Sequence, residues 1–85
     1  MCGLDKMIYC QLSFAPLARN EYGSDVKRVL RIISDSGLEH EAGVMSTVVR
    51  GKEKELFRLM QKIYEDMDNF CSFIMDIKIS NVCGC

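Results

Sequence analysis

Residues 40–51, HEAGVMSTVVRG, decide the fold of this chain. An extended segment over 38–44 is followed at once by a second that begins near Ser46 and runs to Arg50, with glycines at turn positions 43 and 51. This pattern predicts two strands joined by a tight connection. The segments on either side of these two strands then determine which kind of sheet they join.

An alternating segment lies near the start of the chain. Over residues 7–14 every second side chain is apolar, and the residues between them are mixed in polarity. Alternation with a period of two is typical of a strand with one buried face. Pro16 has no backbone N–H to donate and restricts Ala15, so we expect it to end this strand. A polar loop is expected over 19–23.

Two amphipathic helices are predicted, one before and one after the two central strands in the sequence. Ser24 is expected to cap the first helix, and Gly37 to end it in a left-handed conformation. Glu53 and Glu55 suit the positive end of the second helix dipole. The residues expected to be buried follow helical spacing: Val26, Val29, Leu30 and Ile33 in the first helix, and Leu56, Leu59, Met60, Ile63 and Met67 in the second.

A final β-rich segment over 71–80 completes the order βαββαβ. This order predicts an α+β, ferredoxin-like sandwich, in which two right-handed crossovers place both helices on one face of a four-stranded antiparallel sheet. The first and third strands are expected to be central, and the other sheet face is left open. The 85 residues suffice for one two-layer core, so we expect a single domain over 1–85.

Composition and charge exclude several classes of protein. The hydrophobic content of 48% excludes a disordered chain, and 11 basic and 12 acidic residues are intermixed, so no broad field attracts nucleic acid. Residues 1–6 lack the pattern of a signal peptide, and no apolar run approaches the roughly 20 residues that a membrane helix needs. We therefore expect a cytoplasmic protein with neither nucleic acid nor a membrane as partner.

The five cysteines, at positions 2, 10, 71, 83 and 85, are odd in number and irregularly spaced. That spacing argues against a disulfide framework. Cys10 and Cys71 are expected to be small buried or half-buried apolar groups. Cys83 and Cys85 form a pair that a soft metal or a redox reaction could use, but no second pair completes a tetrahedral site, so no metal site is expected.

The central segment resembles the signature of the YkoF-related thiamine-binding family, tyrosine-glutamate-valine-glycine-proline-methionine-glycine-threonine. This chain carries His40, Val44 and Ser46 in place of the tyrosine, the proline and the second glycine. The first strand with its proline and residues 75–79 are similar as well, so the resemblance covers about 8–79. It implies a ferredoxin-like homodimer or homotetramer assembled through its sheets. It also implies binding of thiamine or its hydroxymethylpyrimidine portion, without catalysis and without a cofactor.

An aminopyrimidine carries an amine donor, ring-nitrogen acceptors and a flat apolar surface, so its site needs a carboxylate, a hydroxyl or amide donor and a flat side chain. The open sheet face is expected to supply these groups. The predicted ligand-binding residues are Tyr9, Gln11, Ser13, Glu41, Ser46, Thr47 and Asp76. Tyr9 would stack on the ring, Glu41 or Asp76 would accept from the amine, and the other four would bond the ring nitrogens. Each polar residue has a structural alternative, as the exposed position of an alternating strand or as part of an ion pair.

Three functions remain open. The first is non-catalytic binding of thiamine or a related pyrimidine at the open sheet face of an oligomer. The second is a structural or regulatory module whose sheet face binds only itself or a protein partner. The third is a thiol or metal carrier that uses Cys83 and Cys85. An enzyme is not expected, because the single histidine, His40, should point towards the helices and no nucleophile is placed beside it.

Overall fold

The computed structural model describes residues 7–17 and 22–82. Within this part of the chain the elements follow the predicted order. They are β1 (Met7–Leu17), α1 (Tyr22–Asp35), β2 (Glu39–Ala42), β3 (Thr47–Lys52), α2 (Glu53–Asp68) and β4 (Ser72–Ser80). The strands form one antiparallel sheet in the order β2-β3-β1-β4. The ferredoxin-like α+β fold and the central position of the first and third strands are confirmed.

The pairing register separates the side chains of the sheet into two faces. Gln11 of β1 lies between Val48 of β3 and Lys78 of β4. Because successive side chains of a strand point to opposite faces, these three residues share one face and Leu12 lies on the other. The face without helices is called here the open sheet face. It carries Tyr9, Gln11, Ser13, Glu39, Glu41, Val48, Arg50, Ile74, Asp76 and Lys78.

The two helices cover the opposite face and enclose the core. The buried apolar residues are Ile8, Cys10, Leu12, Val29, Ile32, Ile33, Val49, Leu56, Leu59, Ile63 and Met67. The predicted helical stripes are therefore largely confirmed, although Val26, Leu30 and Met60 are half-buried and Ile32 joins the core. Neither helix is long and apolar enough to cross a bilayer in the described ranges 7–17 and 22–82.

Two predicted element boundaries were wrong. Pro16 does not end β1, which continues to Leu17 and pairs Pro16 with Phe73 of β4. Pairing with β3 stops at Leu12, so β1 has a neighbour on one side near Pro16, where a missing N–H is tolerated. Helix α1 begins at Tyr22, and Ser24 lies in its first turn instead of capping it. A capping preference alone does not fix the first residue of a helix, because neighbouring residues can also adopt helical dihedral angles.

Other local predictions are confirmed. Gly37 follows α1 with a φ of 77°, the left-handed conformation that glycine adopts without steric cost. Helix α2 begins at Glu53, and the Glu55 carboxylate accepts a hydrogen bond of 3.1 Å from the backbone N–H of Lys52, which is one half of a capping box. Cys10 is buried and Cys71 half-buried. The predictions for residues 1–6 and for Cys83 and Cys85 lie outside the described residues.

Candidate functional site

A cavity of about 310 Å³ opens between α1 and one end of the sheet. Ligand pockets in proteins start at roughly this volume, about 300 Å³. Its walls are mostly apolar, and we call it the α1 cavity. The lining side chains and loop residues come from three elements: Leu12 to Ala15 of β1, the inner side of α1 at Val26, Val29, Leu30 and Ile33, and the segment 43–47.

The segment 43–46 connects β2 to β3, and together with Thr47 it forms the rim of the α1 cavity. The backbone N–H of Gly43 donates to the carbonyl oxygen of Ser46 at 2.8 Å, which closes the turn. A Cβ atom at position 43 would lie 3.1 Å from that same oxygen, closer than most such contacts. A glycine therefore permits this tight connection, and the connection gives the cavity its outer wall.

Two side chains of β1 tie this rim to the sheet. The Ser13 hydroxyl donates to the carbonyl oxygen of Met45 at 3.1 Å, and the Gln11 amide donates to the Ser46 hydroxyl oxygen at 3.0 Å. The Ser46 hydroxyl keeps its own proton, since it serves as acceptor towards Gln11. Because Gln11 and Ser13 lie on the open sheet face, these two hydrogen bonds fix the rim from that side of the sheet.

The seven predicted binding residues separate into two groups. Ser13, Ser46 and Thr47 line the α1 cavity. The register places Thr47 opposite Leu12 on the helix side of the sheet, with 8% of its surface exposed, so it does not lie on the open sheet face as expected. Val48 lies beside Gln11 on the open sheet face. Because successive side chains of a strand point to opposite faces, Thr47 points to the helix side. The residues on the open sheet face are Tyr9, Gln11, Glu41 and Asp76, and Ser13 borders both regions.

The residues on the open sheet face are spread across all four strands. Asp76 lies opposite Ser13 on one edge strand, and Glu41 lies opposite Val48 on the other. Three strand spacings of about 4.8 Å separate the two edge strands, so the two carboxylates cannot contact one pyrimidine ring together. A ligand on this single layer of side chains would need a second surface to enclose it.

Charged and aromatic contacts organise one end of the open sheet face. Arg50 forms an exposed ion pair with Glu39, with 3.4 Å between nitrogen and oxygen. The Arg50 guanidinium carbon also lies 5.9 Å from the centre of the Tyr9 ring, within the range of a cation–π contact. Arg50 thus pairs with Glu39, and Glu41 lies two residues further along the same strand.

Sequence reasoning missed the contribution of α1 to the cavity. Val26 and Leu30 belong to the apolar stripe of the helix, and the spacing of that stripe predicts that all of its residues pack in the core. A helical period identifies the inner side of a helix, but it does not reveal that part of that side faces a gap beside the sheet. His40 pairs with Val49 and so lies on the helix side, and its Nδ1 atom is 2.9 Å from the carbonyl oxygen of Leu38.

Solved structures share this architecture. A Thermotoga maritima protein proposed to act in thiamine biosynthesis or salvage superimposes with a TM-score of 0.82 at 18% identity, over 87% of this chain and 82% of that one. A Bacillus cereus protein with a domain of unknown function gives 0.82 at 20% identity, over 99% and 84%. A Streptococcus pneumoniae protein gives 0.82 at 17% identity, over 87% and 84%. At these identities the likeness supports the fold.

Sequence comparison adds the family. No curated protein matches the chain in sequence. The family model described as thiamine-binding protein matches residues 10–82, from the first strand to the end of the last. The match includes the cavity-lining parts of β1 and α1 and the whole rim 43–47. The chain therefore belongs to the thiamine-binding protein family.

Proposed function

We propose that this chain binds thiamine or a related pyrimidine such as hydroxymethylpyrimidine in the α1 cavity, and releases it chemically unchanged. One observation carries the proposal. The segment 43–47, which contains most of the resemblance to the family signature, is the segment that forms the rim of the cavity. A segment with both properties is well placed to recognise the ligand.

The chemistry of the α1 cavity fits an aminopyrimidine. Its apolar wall suits the faces of the ring, and the hydroxyl group of Thr47, on the helix side of the sheet, suits a ring nitrogen as a donor. The carbonyl oxygen of Met45 accepts from Ser13 and has a second lone pair for the exocyclic amine. The cavity volume of about 310 Å³ is small, so the pyrimidine would occupy it and a thiazolium ring would extend past the exposed Val44.

The residues of the open sheet face define a second possible location for the same ligand. Tyr9, Gln11, Glu41 and Asp76 would enclose a ligand where a second subunit of a homodimer or homotetramer covers this face. The α1 cavity is favoured over this location because it is concave within one chain. Gln11 is common to the two locations. Its side chain lies on the open sheet face, and its amide donates to the Ser46 hydroxyl oxygen at the cavity rim.

A second function, a self-associating interaction module, is favoured by one observation. Val48 and Ile74 are exposed apolar residues on the open sheet face, where no helix covers them. Apolar side chains in such positions are typical of contact surfaces. We place either activity in the cytoplasm, where the free thiols of Cys10 and Cys71 would stay reduced.

Calorimetric titration with thiamine, its phosphates and hydroxymethylpyrimidine tests the proposed function. We expect saturable binding of one of them, and mass spectrometry should recover the ligand unchanged after prolonged incubation. Thr47→Val removes a hydroxyl at nearly constant volume and should raise the Kd about tenfold, the effect of roughly 1.4 kcal/mol expected for one lost hydrogen bond.

Asp76→Asn is the matched control, because it alters a predicted binding residue that lies outside the α1 cavity. We expect it to leave the Kd unchanged. The reverse pattern, with Asp76→Asn weakening binding and Thr47→Val neutral, would move the site to the open sheet face. A folded protein that binds none of these compounds would favour the interaction module.

A further inference from the structure

A groove of about 670 Å³ lies between α1 and α2, and we call it the helix groove. This volume is within the range of ligand pockets, about 300–1,000 Å³. Among the described residues it shares no lining residue with the α1 cavity, because its α1 residues lie on the opposite side of that helix. The charged residues that line it are Lys27, Arg28, Arg31 and Asp35 of α1, and Lys62 and Asp66 of α2.

Three of the four cations share one side of α1. Lys27 and Arg31 are four residues apart, and Arg28 is three residues before Arg31, so the side chains are neighbours on the helix surface. Like charges at these spacings destabilise a helix by themselves. Lys62 adds a fourth positive charge from the facing helix. A bound anion would relieve the repulsion among these groups.

The carboxylates in the helix groove do not neutralise these cations by contact. Arg31 and Asp35 are four residues apart, as are Lys62 and Asp66, and this spacing permits a helical ion pair. Neither pair forms one, and none of the four cations has an ion pair or a hydrogen bond to another described residue. In both pairs the cation precedes the carboxylate, which is the less favourable order on a helix. The cations are therefore available to a ligand.

Arg28 is held in position without losing its charge. Its guanidinium carbon lies 3.9 Å from the centre of the Phe70 ring, which is a cation–π contact. A side chain that is already ordered loses less conformational freedom when a ligand binds. Ser24, in the first turn of α1, also lines the groove, so the positive end of the helix dipole lies at the same place. Each of these features favours a negatively charged ligand.

We propose that the helix groove binds phosphate groups carried by a small molecule. Arginine and lysine are the side chains that bind phosphate in proteins, and hydrogen bonds between ionised partners are about twice as strong as neutral ones. Among the described lining residues, four cations and two carboxylates leave an excess of two positive charges. The chain as a whole has 11 basic and 12 acidic residues, so the positive charge is local and suits a compact anion better than a nucleic-acid strand.

Calorimetric titration of the full chain with inorganic pyrophosphate tests the proposal. We expect saturable binding of one pyrophosphate per chain, weakened by added salt because the contacts are ionic. Arg31→Gln and Lys62→Gln each remove one charge from the groove, and each should raise the Kd about tenfold. Asp66→Asn removes a carboxylate from the groove and should lower the Kd about threefold. Circular dichroism checks that each variant is folded.

Lys54→Gln is the matched control. It makes the same change in net charge on the same helix as Lys62→Gln, but about 12 Å before Lys62 along the helix axis. This separation exceeds the Debye length of about 8 Å at physiological ionic strength. The control should leave the Kd within about twofold of wild type.

Parallel titrations with ADP identify the source of the phosphate groups. ADP that binds at least as tightly as pyrophosphate indicates a phosphorylated organic ligand, and weaker binding of ADP indicates an inorganic one. Thr47→Val should not alter the Kd for pyrophosphate, because Thr47 lines the α1 cavity and not the helix groove, so pyrimidine binding and phosphate binding can fail independently. The proposal would be overturned if pyrophosphate did not bind saturably at millimolar concentration, or if Arg31→Gln and Lys62→Gln bound it no more weakly than Lys54→Gln.

Discussion

The Cys10 thiol lies in the core, and its burial raises the pKa of the thiol above the ordinary value of 9.0. The unfolded chain ionises this thiol near its ordinary pKa, whereas the folded chain keeps it protonated. The contribution of Cys10 to stability is therefore complete below about pH 9 and falls as the pH rises towards the raised pKa. We expect wild-type protein to lose stability more steeply than Cys10→Ala between pH 8 and 10.5.

Urea unfolding of both proteins at each pH measures this difference. The Cys10→Ala variant will be less stable at pH 7, because a core side chain is shortened. The informative quantity is the slope of the unfolding free energy against pH, which the lost volume of the thiol group does not change. Parallel slopes for the two proteins above pH 9 would contradict the role assigned to the buried thiol.

Individual binding residues were harder to predict than core residues. The alternating pattern of β1 correctly predicts that Cys10 and Leu12 are buried, because several apolar residues of this strand share one face. Thr47 follows a connection whose length the sequence leaves open, and a change of one residue in register moves a side chain to the other face. The sequence therefore identified Ser46 and Thr47 as candidates but could not determine which surface each one faces.

Two glycines at the ends of α1 should respond oppositely to alanine. Gly37 has a φ of 77°, so Gly37→Ala forces a Cβ into the left-handed region and should cost about 1–2 kcal/mol. Gly23 lies inside the first turn of α1 with open space around it, so Gly23→Ala should be neutral or stabilise by up to about 1 kcal/mol. Thermal unfolding of both variants checks the pair. Equal shifts in Tm would contradict the assigned positions.

Elements with a clear period were predictable, and signals from single residues were less reliable. The strands and helices were found in order because each repeats its apolar positions several times. The predictions that Pro16 ends β1 and that Ser24 caps α1 were wrong. The effect of a single proline or serine depends on the strand or helical turn next to it. The α1 cavity could not be predicted, because it exists only where α1, β1 and the segment 43–47 come together.

The central claim is that a pyrimidine binds in the α1 cavity, and its most direct test is a nuclear magnetic resonance titration of the ¹⁵N-labelled chain with hydroxymethylpyrimidine and with thiamine. We expect saturable amide shifts confined to the cavity lining: Ser13, the segment 43–47 and the inner side of α1 from Val26 to Leu30. The amide signals of Tyr9, Glu41 and Asp76 should not shift. No shift at millimolar ligand, or shifts confined to the open sheet face, would contradict the claim.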